Sequence, residues 1–493
     1  MPDQDSLRES LGAPGPGPSG SRTWLERLWA GIAERGRAYA DVPSNALPPL
    51  ERAQLLARAL LSERGEASGA AVARELHDSI GALSGADRLA FFRFTAEAFA
   101  PDAARLRAAA EAWLAGPSLE RAALLAAAAE PPRQELLRRL NMAPGGTAAL
   151  VALRQELLGH LRAEPTLRIL DADLHHLLGS WFNRGFLELR RIDWQTPAAV
   201  LEKLIRYEAV HEIQGWDDLR RRLEADRRCF AFFHPALPGE PLIFVEVALV
   251  RGMAEAIAPL LARDQRPARA EEADSAIFYS ISNCQVGLRG ISFGNFLIKQ
   301  VVEELKAELP QLGRFATLSP VPGFRRWLER RLAADDGASL FRPAEVASFG
   351  ADPVAGFRAM AEGDWAGDPA RGRALRAPLL RLAATYLTRP NTAGAGIDPV
   401  ARFHLGNGAR LERINWLGNR APRGMRESYG LMVNYLYERE AIEANHEAFV
   451  RSAQVARGPA VDALLDEAAP PSPRRRLARL LGGDDRAPTR QEG

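Results

Sequence analysis

The feature that most constrains this chain is the stretch from Ser275 to Ser319, where the period of the apolar residues changes twice. Ser275-Ala-Ile-Phe-Tyr-Ser-Ile-Ser282 is rich in β-branched and aromatic residues and reads as a short buried strand. Glycines follow at 287, 290 and 294, a spacing that suits a tight turn or a close backbone approach. Ile298, Val301, Val302, Leu305 and Leu309 then recur at helical spacing until Pro310 stops them. Arg314-Phe-Ala-Thr-Leu-Ser319 reads as a second strand, ended by Pro320. Two strands joined through one helix lie parallel with a right-handed crossover. The glycine turn and Ser319 therefore fall at the same carboxyl end of a sheet, where open α/β sheets bind their ligands. The free N–H groups of the first helical turn make the loop a candidate anion cradle. Ser319 is the first candidate for chemistry. The same residues are equally compatible with a plain turn and an end-of-strand hydrogen bond, because glycine spacing by itself is weakly specific.

The rest of the chain divides by pattern. Residues 1–21 are polar and rich in Gly and Pro and are expected to be disordered. Residues 22–165 carry helical periodicity interrupted at Pro117, Pro131-Pro132 and Pro144-Gly-Gly, which predicts a helical bundle. A bridging section from Thr166 holds His175-His176. Adjacent residues face different sides of a helix, so these read as surface or packing side chains and not as a metal pair. Cys229–His234 and Leu242–Leu249, either side of Pro238-Gly-Glu-Pro241, predict an antiparallel hairpin, followed by a helix over Met253–Leu261. Further on, Asp398-Pro-Val-Ala-Arg-Phe-His-Leu405 puts His404 at a loop–strand junction, close before an Asn407-Gly408 turn and a strand over Leu411–Leu417. Residues 456–493 read as a flexible tail.

Composition narrows the function classes. Lys and Arg number 64 against 62 Asp and Glu, a balance that gives no case for nucleic acid. Cys229 and Cys284 are the two cysteines of the chain, too few for a disulfide framework and without metal-ligand spacing, so a cytoplasmic setting is expected. No apolar run is long enough to cross a bilayer, and the first residues read as neither a secretion signal nor a transit peptide.

Arg289-x-x-Ser-x-Gly294 ahead of an apolar helix is similar to the pyrophosphate loop of the GNAT acyltransferase superfamily, Gln/Arg-x-x-Gly-x-Gly/Ala, with Ser292 in place of the first glycine. The wider text is more specific. Gly179-Ser-Trp-Phe-Asn-Arg-Gly-Phe186, Leu318-Ser-Pro-x-Pro-Gly-Phe324, Phe403-His-Leu-x-Asn-Gly-Ala409, Arg413-Ile-Asn-Trp416 and Gly430-Leu-Met-x-Asn-Tyr435 together resemble the malonyl-CoA decarboxylase family, in order, over roughly residues 45 to 452. The resemblance implies an α+β fold: an all-α N-terminal helical bundle followed by a GNAT-like mixed α/β catalytic domain over residues 166–455. It implies an acyl-CoA loop at Arg289, Gly290, Ile291, Ser292, Phe293, Gly294 and Asn295. It puts the family's proton acceptor at Ser319 and its proton donor at His404. It also implies malonyl-CoA as substrate, no redox or metal cofactor, and a dimer or tetramer formed through the helical domain.

Loss of CO2 from a malonyl thioester leaves an enolate, which needs donors for its oxygen and a proton for its carbon. The thioester carbonyl is itself the electron sink. Histidine titrates near neutral pH and suits the acid role; a serine hydroxyl both donates and accepts, so Ser319 either holds the carboxylate or relays a proton. Asn407, Asn434 and Tyr435 are further candidates for orienting His404 or the carboxylate, with turn formation and packing as their competing explanation. An N-acyltransferase using the same cradle, or a non-catalytic acyl-CoA sensor, remains open at this point.

Overall fold

The computed structural model describes residues 46–62, 66–291, 297–388 and 398–466. The predicted disordered start, the loop positions Ser292, Phe293, Gly294 and Asn295, and the end of the tail lie outside the described residues.

Among the described residues eight helices build the first half: α1 (Pro49–Ser62), α2 (Glu66–Ala82), α3 (Gly85–Ala98), α4 (Ala103–Ala115), α5 (Leu119–Ala129), α6 (Pro132–Asn141), α7 (Gly146–His160) and α8 (Arg168–Trp181). The breakers Pro117, Pro131 and Gly145 sit between helices, as their missing N–H or positive φ requires. Leu56, Leu60, Leu76, Phe92, Leu137, Leu157, Leu174 and Leu178 fill the core. The bundle runs further than its predicted end at residue 165. Leu170, Leu174, Leu177 and Leu178 bury one stripe of α8, which packs on α3, α6 and α7, so residues 168–181 of the section read as a bridge join the bundle.

Among the described residues eight strands form one sheet: β1 (Glu188–Ile192), β2 (Arg227–Phe233), β3 (Ile243–Val250), β4 (Ser275–Asn283), β5 (Arg314–Thr317), β6 (Ser319–Pro320), β7 (Arg410–Asn415) and β8 (Met432–Leu436). Their order is β1-β2-β3-β4-β5-β8-β6, with β7 on β8. β2 and β3 are the predicted antiparallel hairpin. β4 and β5 are the parallel pair, joined through the helix Leu297–Glu308, whose Leu297, Ile298, Val301, Val302 and Leu305 are buried. The predicted Met253–Leu261 helix shrinks to Ala258–Leu261, because the Ile257 N–H bonds to the Gly418 carbonyl (2.8 Å) and fixes the preceding chain outside a helix.

What positions the site is the parting of β4 from β5. Their pairing stops at Phe278 with Thr317, whereas β4 continues to Asn283. On its other side β4 pairs Ser280 with Glu246 but Phe278 with Val247, so Tyr279 is an extra residue. A bulge of this kind bends the strand that carries it. Beyond the bulge Leu318 makes one last bond to the Phe278 carbonyl (2.9 Å), and Ser319 turns to pair with Val433 of β8.

The second chemical stretch is a helix, Pro399–Gly406, and not the loop–strand junction expected around His404. Asp398 caps it, accepting from the N–H groups of Val400 (3.0 Å) and Ala401 (3.3 Å). The same carboxylate accepts from the Tyr386 hydroxyl (3.0 Å) and the Gly323 N–H (3.2 Å), tying this helix to the turn that follows Ser319. The tail read as starting at residue 456 is also displaced: Arg457 bridges to Leu411 and the helix Pro459–Asp466 buries Val461. Asp398→Ala leaves four buried or partly buried donors short of an acceptor and should lower stability by roughly 2–3 kcal/mol, read as a reduced urea midpoint.

Candidate active site

The parting strands open a cavity of about 330 Å³. Its walls include Phe278, Ser280 and Asn283 of β4, Ser319 and Pro320 of β6, Val400, Phe403 and His404 of the Pro399–Gly406 helix, and Val210. Val210 is held there by Glu208, which spans the unpaired part of β4. Its carboxylate accepts from the hydroxyls of Ser280 (2.8 Å) and Ser282 (3.1 Å) and from the N–H groups of Val210 (2.9 Å) and His211 (2.7 Å).

Ser319 and His404, 85 residues apart in sequence, meet at this wall: Ser319 Oγ lies 3.0 Å from His404 Nε2. Both are buried. The Ser319 hydroxyl donates to Thr317 Oγ1 (2.8 Å), which also accepts the Tyr435 N–H (3.2 Å). On the far side of the imidazole, His404 Nδ1 is 2.8 Å from the Tyr437 hydroxyl. Taking the Ser319 hydroxyl as the donor to Thr317 assigns the tautomer. With the Ser319 proton committed to Thr317, Nε2–H donates to Ser319 and Nδ1 accepts from Tyr437. Burial pushes the Tyr437 phenol well up, which keeps its proton in place. The Tyr435 ring stacks on the imidazole at 4.7 Å between centroids, 25° from parallel. The histidine is thus held at both nitrogens and on one face.

Burial also pushes the His404 imidazole down, to about 3. The ring is therefore neutral near pH 7.

The other candidates separate. Asn434 faces structure: its amide donates to the carbonyls of Thr317 (2.7 Å) and Ala254 (3.0 Å), and its oxygen accepts from Asn415 (2.8 Å). Asn407 ends the Pro399–Gly406 helix and its amide donates to the Phe403 carbonyl (2.7 Å), so it shapes the turn. Arg289, Gly290 and Ile291 lie in the turn just beyond β4, against the helical bundle. Lys299 Nζ donates to the Glu443 carboxylate (2.5 Å). Tyr437 and Thr317 are the contacts that sequence reasoning missed. Alternation along β8 places residues 435 and 437 on one face, which was the available signal for Tyr437.

Comparison with known proteins identifies the family. The malonyl-CoA decarboxylase C-terminal domain model matches residues 185–474, and the N-terminal domain model of that family matches residues 99–182. The chain belongs to the malonyl-CoA decarboxylase family. The mitochondrial malonyl-CoA decarboxylase of Anser anser anser is 39% identical over 336 residues, covering 65% of this chain and 66% of that protein. The mouse protein is 38% identical over 343 residues, covering 66% and 69%. The chain thus spans about two thirds of the length of these relatives. The crystal structure of malonyl-CoA decarboxylase from Rhodopseudomonas palustris superposes with a TM-score of 0.78 at 53% identity, over 84% of this chain and 99% of that one. The Cupriavidus metallidurans decarboxylase gives 0.65 at 38% identity, over the same shares.

A depressed histidine has a definite effect on stability. The unfolded chain binds a proton near the ordinary value of 6.5, whereas folded His404 refuses it until about pH 3, and folded His211 until about pH 4. Their contribution is complete above pH 6.5 and is lost as pH falls toward 3. The urea midpoint should fall across that window, and His404→Gln should make the fall shallower; an unchanged slope would contradict the assignment.

Proposed function

We propose that this chain decarboxylates malonyl-CoA to acetyl-CoA and CO2, with His404 as proton donor and Ser319 orienting the substrate carboxylate. The observation that carries the reading is the buried Ser319–His404 contact on the wall of the cavity between β4 and β5. Family membership supports the choice of substrate.

The bond between the carboxylate and Cα breaks with its electron pair passing into the thioester carbonyl. CO2 departs, and the enolate carbon takes one proton. Since an anion is replaced by a neutral gas, each turnover consumes a proton from solvent. A neutral imidazole is poorly supplied for this, but the substrate's own charge corrects it. A carboxylate brought into an apolar cavity beside the ring raises the imidazole pKa, so the proton is taken up as the substrate binds. The imidazolium then gives it to carbon. Tyr437 keeps Nδ1 in register and Tyr435 limits rotation of the ring, both as positioning residues.

Self-association is part of the same reading. The α4–α5 hairpin exposes Leu114, Leu119 (93% exposed) and Leu124, and α4 buries none of its residues. An apolar hairpin projecting from the bundle is a fitting contact for a second copy of the chain. A reducing compartment such as the cytoplasm suits the free, buried Cys229 and Cys284.

His404→Ala should lower turnover of malonyl-CoA by roughly 10²- to 10⁴-fold, the span usual for a general acid, with binding of CoA kept. Acetyl-CoA and CO2 formation measured without any amine acceptor checks the reaction, and wild-type protein that forms neither would sink it. Leu119→Arg should reduce the mass found by light scattering while sparing turnover.

A further inference from the structure

The proposed acyl-CoA turn is not free-standing. Arg154, on α7, is 2% exposed, yet its guanidinium is spent on main-chain oxygens of the other half of the molecule. Nη1 donates to the carbonyls of Gly287 (2.7 Å) and Arg289 (2.9 Å), while Nε donates to Asp171 of α8 (2.8 Å). His175 of α8 lies 3.2 Å from the Gly290 carbonyl. The approach is close enough that a Cβ at residue 287 would collide with the Val151 carbonyl of α7.

The peptide plane gives this contact a consequence. The C=O of Arg289 and the N–H of Gly290 belong to one planar trans unit and point in opposite directions. With the carbonyl fixed on Arg154, the Gly290 N–H is turned away from the bundle. Among the described residues it has no hydrogen-bond partner, and Gly290 is exposed. Gly290 has φ +83°, a conformation that a side chain would strain. Left to itself, such a glycine peptide can rotate and turn its oxygen outward, which would repel an anion.

We infer that Arg154 and His175 are positioning residues for the nucleotide end of the substrate. They hold the carbonyls of residues 287, 289 and 290 inward, so that the turn offers its donor, with the Arg289 side chain nearby, to the diphosphate of an acyl-CoA. The helical half thereby completes a binding site carried by the sheet. This rests on the acyl-CoA reading above and adds the part played by the bundle.

The test compares two thioesters, malonyl-CoA and malonyl-pantetheine, which lacks the diphosphate. In Arg154→Met, kcat/KM for malonyl-CoA should fall by roughly tenfold or more, as expected for losing charge-assisted hydrogen bonds. The loss should lie in KM, and the ratio of kcat/KM for malonyl-CoA over malonyl-pantetheine should fall with it. His175→Ala, at an exposed position, should lower the ratio by a smaller factor and serves where Arg154→Met does not fold. Equal losses on both thioesters, or an unchanged KM in both variants, would overturn the assignment and leave Arg154 as a structural link between the halves. Calorimetric titration with CoA and with pantetheine makes the same comparison without turnover, so a failure of the decarboxylation reading would be seen separately.

Discussion

Everything at this site depends on one lost pairing. β4 and β5 run together for four residues and then separate at Phe278 and Thr317, with Tyr279 as the extra residue that bends β4. Had the ladder continued, Ser280 to Asn283 would bond to a neighbour and no cavity would exist. Instead, Glu208 takes the Ser280 and Ser282 hydroxyls, β8 takes Ser319, and the space between is left for a ligand. A sheet interior normally satisfies its backbone groups within the ladder, so a gap of this kind needs compensation on both sides. Ser319 finds its new backbone partner on β8, and along β4 Glu208 bonds the Ser280 and Ser282 side chains.

The imidazole shows the same economy. His404 is buried, neutral and bonded at both nitrogens, with Tyr435 stacked on it. Its helix is fixed at the start by Asp398, whose second oxygen reaches the Gly323 N–H and the Tyr386 hydroxyl. The serine and the histidine are thus held at a common distance through two routes, one along β8 and one through the cap. Such rigidity suits a reaction in which the protein must aim a proton and orient a carboxylate, since donors fixed in advance do not reorganise as charge moves.

The two halves of the chain meet where the nucleotide is proposed to bind. Arg154 and Asp171 form an ion pair with little exposure, which contributes modestly to net stability in such surroundings because desolvation offsets the attraction. Its geometric effect is clearer, since it orients main-chain carbonyls that, among the described residues, no side chain of the sheet half reaches. Motif resemblance marks the turn and is silent about what supports it from outside.

Periodicity and composition determined a good deal by themselves. The strand–turn–helix–strand order from Ser275 to Ser319, the antiparallel hairpin before it and the breakers of the bundle are local properties. They follow from side-chain spacing, from glycine and proline geometry and from strand propensity. The motifs around Ser319 and His404 were visible through their resemblance to a known family. Only the tertiary structure decided that His404 lies in the last turn of a capped helix, that Tyr437 bonds to His404 and Thr317 to Ser319, that the Asn407 and Asn434 amides bond to main-chain carbonyls, and that His175 touches the Gly290 carbonyl. It also decided that α8 belongs to the bundle and that Pro459–Asp466 packs on the sheet. Each of these is a contact between residues far apart in sequence, or a competition for one buried partner. Such outcomes are set by which groups burial brings together, and local pattern carries no record of that.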